Sequence, residues 1–134
     1  METPPPENKR FSMVKRAESF AHAGRGVKIF MKTTHNAWLH AGIFAAAVLA
    51  GVFFKISPTE WLAVVLASGL VFVSEAFNSA IEVDIDLTSP EYHPQARDTK
   101  DIAAGAVLIS AVTAAIVGLL VFGPHIIGSI PPGP

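Results

Sequence analysis

The chain has 134 residues, room for one small domain, with 51% hydrophobic and 16% charged side chains and a mean hydropathy of +0.45. A soluble domain carries about 25% charged residues, so this composition is short of water-facing side chains. The formal net charge of -1 gives no global attraction to nucleic acid, and the absence of cysteine excludes disulfides and cysteine metal sites or nucleophiles.

Residues 1–8, with Pro4, Pro5 and Pro6, read as a disordered tail. The first thirty residues hold no unbroken apolar stretch before a small-residue cleavage site, so no secretory signal peptide is expected. Over residues 9–32, Phe11, Val14, Ala17, Ala21, Gly24 and Val27 recur near a helical period, with Lys15, Arg16, Arg25 and Lys28 between them. That pattern predicts an amphipathic helix lying on a membrane surface.

Residues 33–54 contain no Lys, Arg, Asp or Glu. About 20 apolar residues cross a ~30 Å hydrocarbon core, so this is the first expected transmembrane helix. Lys55-Ile-Ser-Pro-Thr-Glu60 reads as a short turn with Pro58 opening the next helix. That second helix, over 61–87, measures about 40 Å at ~1.5 Å per residue, so it outruns the bilayer and its charged last third should emerge from it. The prolines of Ser89-Pro-Glu-Tyr-His-Pro94 mark a loop. A third span follows over 100–123, and residues 124–134 read as a tail. On these boundaries all ten prolines stand outside helix interiors. Gly42, Ala46 and Ala50 on the first span and Ser110, Ala114 and Gly118 on the third form small-residue stripes, which suit a packed bundle or an oligomer.

Seven of the ten Lys and Arg residues lie between Lys9 and Lys32, and Arg97 and Lys100 sit in the second loop. The positive-inside rule then places the N-terminus and that loop in the cytoplasm and the C-terminus outside.

Glu75, Asn78, Ser79, Glu82 and Asp86 fall at helical spacing and form one polar stripe. A carboxylate at mid-bilayer costs roughly 2.5–3.5 kcal/mol on insertion scales, so Glu75, which follows an unbroken apolar run, calls for a functional reason. Asp84 and Asp86 are adequately explained as interfacial. Asp98-Thr-Lys-Asp101 has a plainer reading as the cap and first turn of the third helix. The topology, however, puts it on the same membrane face as Glu75 and Glu82. Carboxylates, an amide and a lysine at a water–lipid boundary suit phosphoryl transfer, with Mg²⁺ held by carboxylate and phosphate oxygens, lysine on phosphate, and a carboxylate taking the proton of the attacking hydroxyl. The chain has no Walker A loop and no protein-kinase motif.

The blocks Glu75-Ala-Phe-Asn-Ser-Ala-Ile-Glu82, Pro90-Glu-Tyr-His-Pro94 and Lys100-Asp-Ile-Ala-Ala-Gly-Ala-Val-Leu108 resemble the prokaryotic diacylglycerol kinase and undecaprenol kinase family, with a looser likeness from about Phe20 to Gly123. The resemblance implies an all-α membrane protein of the bacterial cytoplasmic membrane. It has a surface helix and three transmembrane helices, forms a homotrimer with sites between neighbouring subunits, and occupies 9–123. It also implies transfer of the γ-phosphate of ATP, with Mg²⁺, to a lipid hydroxyl. On that pattern Glu75 is the general base, Asn78 the active-site amide and Glu82 a Mg²⁺ ligand. Lys100 and Asp101 form the nucleotide-side pair, and Glu91 and His93 lie near the nucleotide. Position 34, where the family carries an acidic metal partner, is Thr34 here, and Trp38 replaces a common arginine. Asn36, His40 and the proline-flanked loop resemble the undecaprenol kinase branch, while diacylglycerol stays open as acceptor. Two other classes fit the intramembrane carboxylates: a small transporter or channel using Glu75 and Glu82 as an ion relay, and a catalytically weakened scaffold of the same fold.

Overall fold

The computed structural model describes residues 13–129; the expected tail over 1–8 and the start of the surface helix lie outside them. Four helices follow in order: α1 (Met13–Thr33), α2 (His35–Phe54), α3 (Pro58–Thr88) and α4 (Pro94–Gly128). The last three are long and apolar enough to cross a membrane. Their outward faces carry large exposed side chains such as Leu49, Phe53, Leu66, Phe77, Leu108 and Leu119, as a lipid-facing surface requires.

The helix ends follow from local chemistry. Thr34 sits in extended backbone (φ -99°, ψ 108°) and separates α1 from α2. At the other end of α2, Lys55 takes a left-handed conformation (φ 53°), and the Ile56 amide donates to the Gly51 carbonyl at 3.1 Å. These features close the helix in a Schellman-like turn. Ser57 and Glu60 then form a capping box, with the Ser57 amide donating to Glu60 Oε2 at 2.7 Å and Pro58 in the first turn. The N-cap of α4 is His93, whose Nδ1 accepts from the Gln95 amide at 3.2 Å.

Two boundaries depart from the sequence reading. Helix α4 begins at Pro94, six residues before the expected start at Lys100. Proline lacks an amide hydrogen, which costs nothing at the first helical position, so it opens the helix instead of forbidding it. The acidic residues Asp98 and Asp101 therefore lie inside the helix, and its first turn holds no acid. At the far end α4 runs through Pro124 to Gly128, so Pro124 is inside a helix and residues 124–128 are not tail. An interior proline removes one hydrogen bond and costs ~3 kcal/mol or more in a soluble helix. Here side-chain contacts hold the last turn. His125 Nε2 lies 3.0 Å from Glu60 Oε1, and the His125 ring stacks on Phe54 at 5.8 Å.

Helices α3 and α4 form the main packing pair, antiparallel, with α2 leaning chiefly on α3. Buried positions on α3 are Val64, Ala67, Val71, Glu75 and Asn78, a single stripe at helical spacing. Ile56, Val64 and Val121 form an apolar cluster at the His125 end, with Phe54, Trp61, Val117 and Phe122 against it. Helix α1 contacts α2 near their shared elbow, and its Phe20 and Val27 are exposed.

The Trp61 ring seats directly on the backbone of Gly51, where a Cβ would stand 2.7 Å from it. Gly51→Ala should therefore overpack this corner and cost about 1–3 kcal/mol in thermal unfolding followed in detergent. Adding Trp61→Leu should recover most of the loss; no recovery would mean that another contact sets the need for glycine.

Candidate active site

The polar residues of α3 continue its packing stripe. Val64, Ala67 and Val71 lead one turn at a time to Glu75, which is only 1% exposed, and then to Asn78 at 8%. Beyond Asn78 the stripe rises out of the packed seam, and Glu82 and Asp86 are exposed. Glu75 thus occupies a core position rather than a surface one. Two contacts fix its level: Lys100 Nζ is bonded to Asp86 Oδ1 at one end of the α3–α4 seam, and His125 to Glu60 at the other. Counting inward from either contact puts Glu75 beside Ser110 and Ala111 of α4. The Ser110 hydroxyl donates to its own helix, at the Val107 carbonyl (2.8 Å), and offers Glu75 nothing. Glu75 Oε2 and Asn78 Oδ1 are buried with no hydrogen-bond partner among the described residues. Unpaired buried polar atoms are costly, so two of them on adjacent turns identify a place built for something other than packing.

Around this pair the structure makes two side-chain links. Asn78 Nδ2 donates to Glu82 Oε1 at 3.1 Å, which holds the Glu82 carboxylate over the next turn. Thr34 Oγ1 lies 3.0 Å from Ser79 Oγ, so the α1–α2 elbow is fastened to the polar stripe. That bond occupies the Thr34 hydroxyl, which makes no capping bond to α2. Position 34 therefore faces the turn of α3 that carries Asn78 and Glu82. His35 and Asn36 are exposed, Trp38 is 64% exposed, and His40 is half-buried facing α3 and α4.

Lys100 and Asp101 each have an ion-pair partner of their own. Successive residues on a helix point about 100° apart. Lys100 is bonded to Asp86, and Asp101 Oδ2 is 3.6 Å from Arg97 Nε in an exposed contact that adds little stability. Asp86, assigned from sequence to the interface alone, is the residue that positions Lys100. Its place on the stripe at 75, 78, 79, 82 and 86 was the signal for it. Glu91 and His93 stand exposed on the α3–α4 connection at this same end, with His93 engaged as the helix cap. Along α3, Asp86 lies about 16 Å from Glu75 at ~1.5 Å per residue, so the lysine and the buried carboxylate stand at different levels of the seam.

Among the described residues no three His, Asp or Glu side chains cluster tightly enough to cage a metal ion. The donor set still fits Mg²⁺, which is ordinarily held by one or two carboxylates plus substrate phosphates, and Glu82 and the free Asn78 Oδ1 are hard oxygen donors on one face.

The family model described as prokaryotic diacylglycerol kinase matches residues 21–122, which include Thr34, Glu75, Asn78, Ser79, Glu82, Asp86, Glu91, His93, Lys100 and Asp101 but not His125. The chain belongs to the prokaryotic diacylglycerol kinase family. It is thereby one of the lipid kinases, and its three spanning helices agree with a bacterial membrane protein. Similarity is greater to an undecaprenol kinase of Bacillus subtilis, 40% identical over 109 residues, or 81% of this chain and 89% of that protein. A diacylglycerol kinase of Synechocystis is 37% identical over 101 residues, covering 75% of this chain and 58% of its own length. The diacylglycerol kinase of Escherichia coli K12 is 27% identical over 101 residues, 70% of this chain and 83% of the relative.

The Thr34–Ser79 bond is testable by a double-mutant cycle. Thr34→Val and Ser79→Ala should each destabilise the fold, with a coupling of about 0.5–1.5 kcal/mol in thermal unfolding. Strictly additive effects would show that the two hydroxyls do not interact.

Proposed function

We propose that the protein transfers the γ-phosphoryl group of ATP to the hydroxyl of a membrane lipid, undecaprenol or diacylglycerol, with Glu75 as general base. The observation that carries this reading is the buried, unpartnered Glu75 oxygen at the point where an apolar helix stripe turns polar. A lipid alcohol reaches such a position from the bilayer and a nucleotide from the water. In the reaction the hydroxyl proton passes to Glu75, the lipid oxygen forms a bond to the γ-phosphorus, and the bond from that phosphorus to the β–γ bridging oxygen breaks to release ADP. Lys100 moves from Asp86 to the phosphates and balances their charge. Asp101, Glu91 and His93 line the nucleotide side on the same end of the helix pair. Glu82 and Asn78 would hold Mg²⁺, and neutralisation of phosphate charge is the chemistry it supplies when bound.

The separation between Lys100 and Glu75 within one protomer favours a site completed between neighbouring copies, as in a homotrimer. The basic residues of α1 and of the α3–α4 connection favour a cytoplasmic site, with α1 lying on the membrane surface and the C-terminus outside.

Glu75→Gln keeps the shape and removes the base, so lipid phosphorylation by purified protein with MgATP should fall by about 10²–10⁴-fold. Transfer persisting at the wild-type rate would assign the base elsewhere. Thr34→Glu adds a second carboxylate facing Glu82 and should lower the Mg²⁺ concentration needed for half-maximal activity. An unchanged Mg²⁺ dependence would show that position 34 has no part in metal binding here.

A further inference from the structure

The register of α2 on α3 brings a second ionisable side chain to the level of the buried carboxylate. Thr34 meets Ser79 at one end of this helix pair, and Gly51 meets Trp61 at the other, so the two helices run antiparallel. His40 is six residues on from Thr34, and Glu75 is four residues back from Ser79. The two therefore differ in level by about 3 Å at ~1.5 Å per residue. Ala37, one turn before His40, is fully buried, and His40 itself is half-buried against the same cleft as Val71, Phe72 and Ala111. Packed helices lie about 8–10 Å apart axis to axis, a gap that a glutamate and an imidazole on facing turns span directly or through one water.

Glu75 has few other routes for a proton. On one side its stripe continues as Val71, Ala67 and Val64, which pass none. On the other, Asn78 stands between it and Glu82, and an amide does not take up a proton at ordinary pH. The Ser110 hydroxyl is bonded within its own helix. Residues 61–74 of α3 and 102–124 of α4 hold no ionisable side chain, and on α2 the only one besides His40 is the exposed His35. Lys32, at the end of α1, is exposed. An imidazole suits the task because it takes a proton on one ring nitrogen and gives one up from the other.

We propose that His40 is the proton relay of this site, carrying the proton of the acceptor hydroxyl from Glu75 to water at the α1–α2 elbow. This role rests on the kinase reading, in which every turnover leaves a proton on Glu75. In the relay the O–H bond of the Glu75 carboxylic acid breaks and an N–H bond forms on the neutral imidazole. The imidazolium then loses the proton of its other nitrogen to water or buffer. One proton leaves for each lipid phosphorylated, and both side chains return to their starting charge. His40 touches neither the lipid oxygen nor the phosphorus, so its contribution falls after phosphoryl transfer.

The test uses the full chain in lipid nanodiscs with undecaprenol and MgATP, comparing wild type with His40→Ala and His40→Gln. Glutamine keeps the bulk and polarity of the position, which guards against loss of fold in the alanine variant. In rapid-quench measurements both variants should complete the first turnover within about twofold of wild type and then turn over about tenfold or more slowly. Imidazole added to the buffer should restore the later turnovers of His40→Ala, and methylimidazoles should restore them better as they become more basic. Glu75→Gln should show neither the first turnover nor the rescue. A first turnover slowed as much as the later ones would make His40 a residue that seats Glu75 or the lipid. Later turnovers that imidazole does not restore, or that neither variant slows, would send the proton by another route. Each of these results overturns the relay and leaves the kinase standing, whereas a wild type that phosphorylates no lipid removes the kinase reading and the relay with it.

Discussion

The antiparallel register of α3 on α4 is the constraint from which the rest of the molecule follows. It is pinned at one end by Lys100 on Asp86 and at the other by His125 on Glu60, and between these contacts a single stripe of α3 is pressed into the seam. Because the stripe runs without a break from Val64 to Asn78, any shift of register would move Glu75 along with the apolar residues that seat it. The position of the carboxylate is therefore set by packing. No hydrogen bond holds its Oε2, so its chemistry is left free while its place is not.

The two ends of the pair differ in how they are held. At the His125 end, Phe54, Trp61, Val64 and Val121 pack closely, Gly51 admits the Trp61 ring, and the polar clasp lies over them. At the Lys100 end the contacts are polar and exposed, and they are easily exchanged for other partners in water. Close packing is thus concentrated away from the exposed end of the polar stripe, which is the end where the proposed reaction would admit a nucleotide. Such a division is expected where binding segments come from the less stable part of a fold.

The helices were legible in the sequence because three charge-free runs cannot be satisfied in water, and Pro58 and Lys55 punctuate the first turn plainly. Pro94 and Pro124 misled for one reason. Proline signals a break only where its missing amide hydrogen is needed, and that depends on position and on neighbours such as Glu60, which lies 65 residues from His125 in the chain. The polar stripe was visible from spacing alone. Its internal wiring was not. The partners of Lys100 and Asp101, namely Asp86 and Arg97, carried no mark in the sequence. The Thr34–Ser79 bond joins residues 45 apart and leaves no periodic trace.

That bond bears on the metal half of the proposed mechanism. A carboxylate at position 34 would face Glu82 across the same turn, and two acids there would repel each other unless a cation lay between them. Threonine removes the repulsion and replaces it with a neutral hydrogen bond to Ser79. The elbow between α1 and α2 is then held against α3 whether or not a cation is bound. In a relative with an acid at this position, closure of the elbow and arrival of the metal would be coupled by charge. Here the stripe is assembled without a cation, and under the proposed mechanism the cost would be electrostatic affinity for the ion. Under that mechanism Glu82, steadied by Asn78 rather than by a second carboxylate, would carry the remaining share, with the nucleotide phosphates bringing the other oxygens.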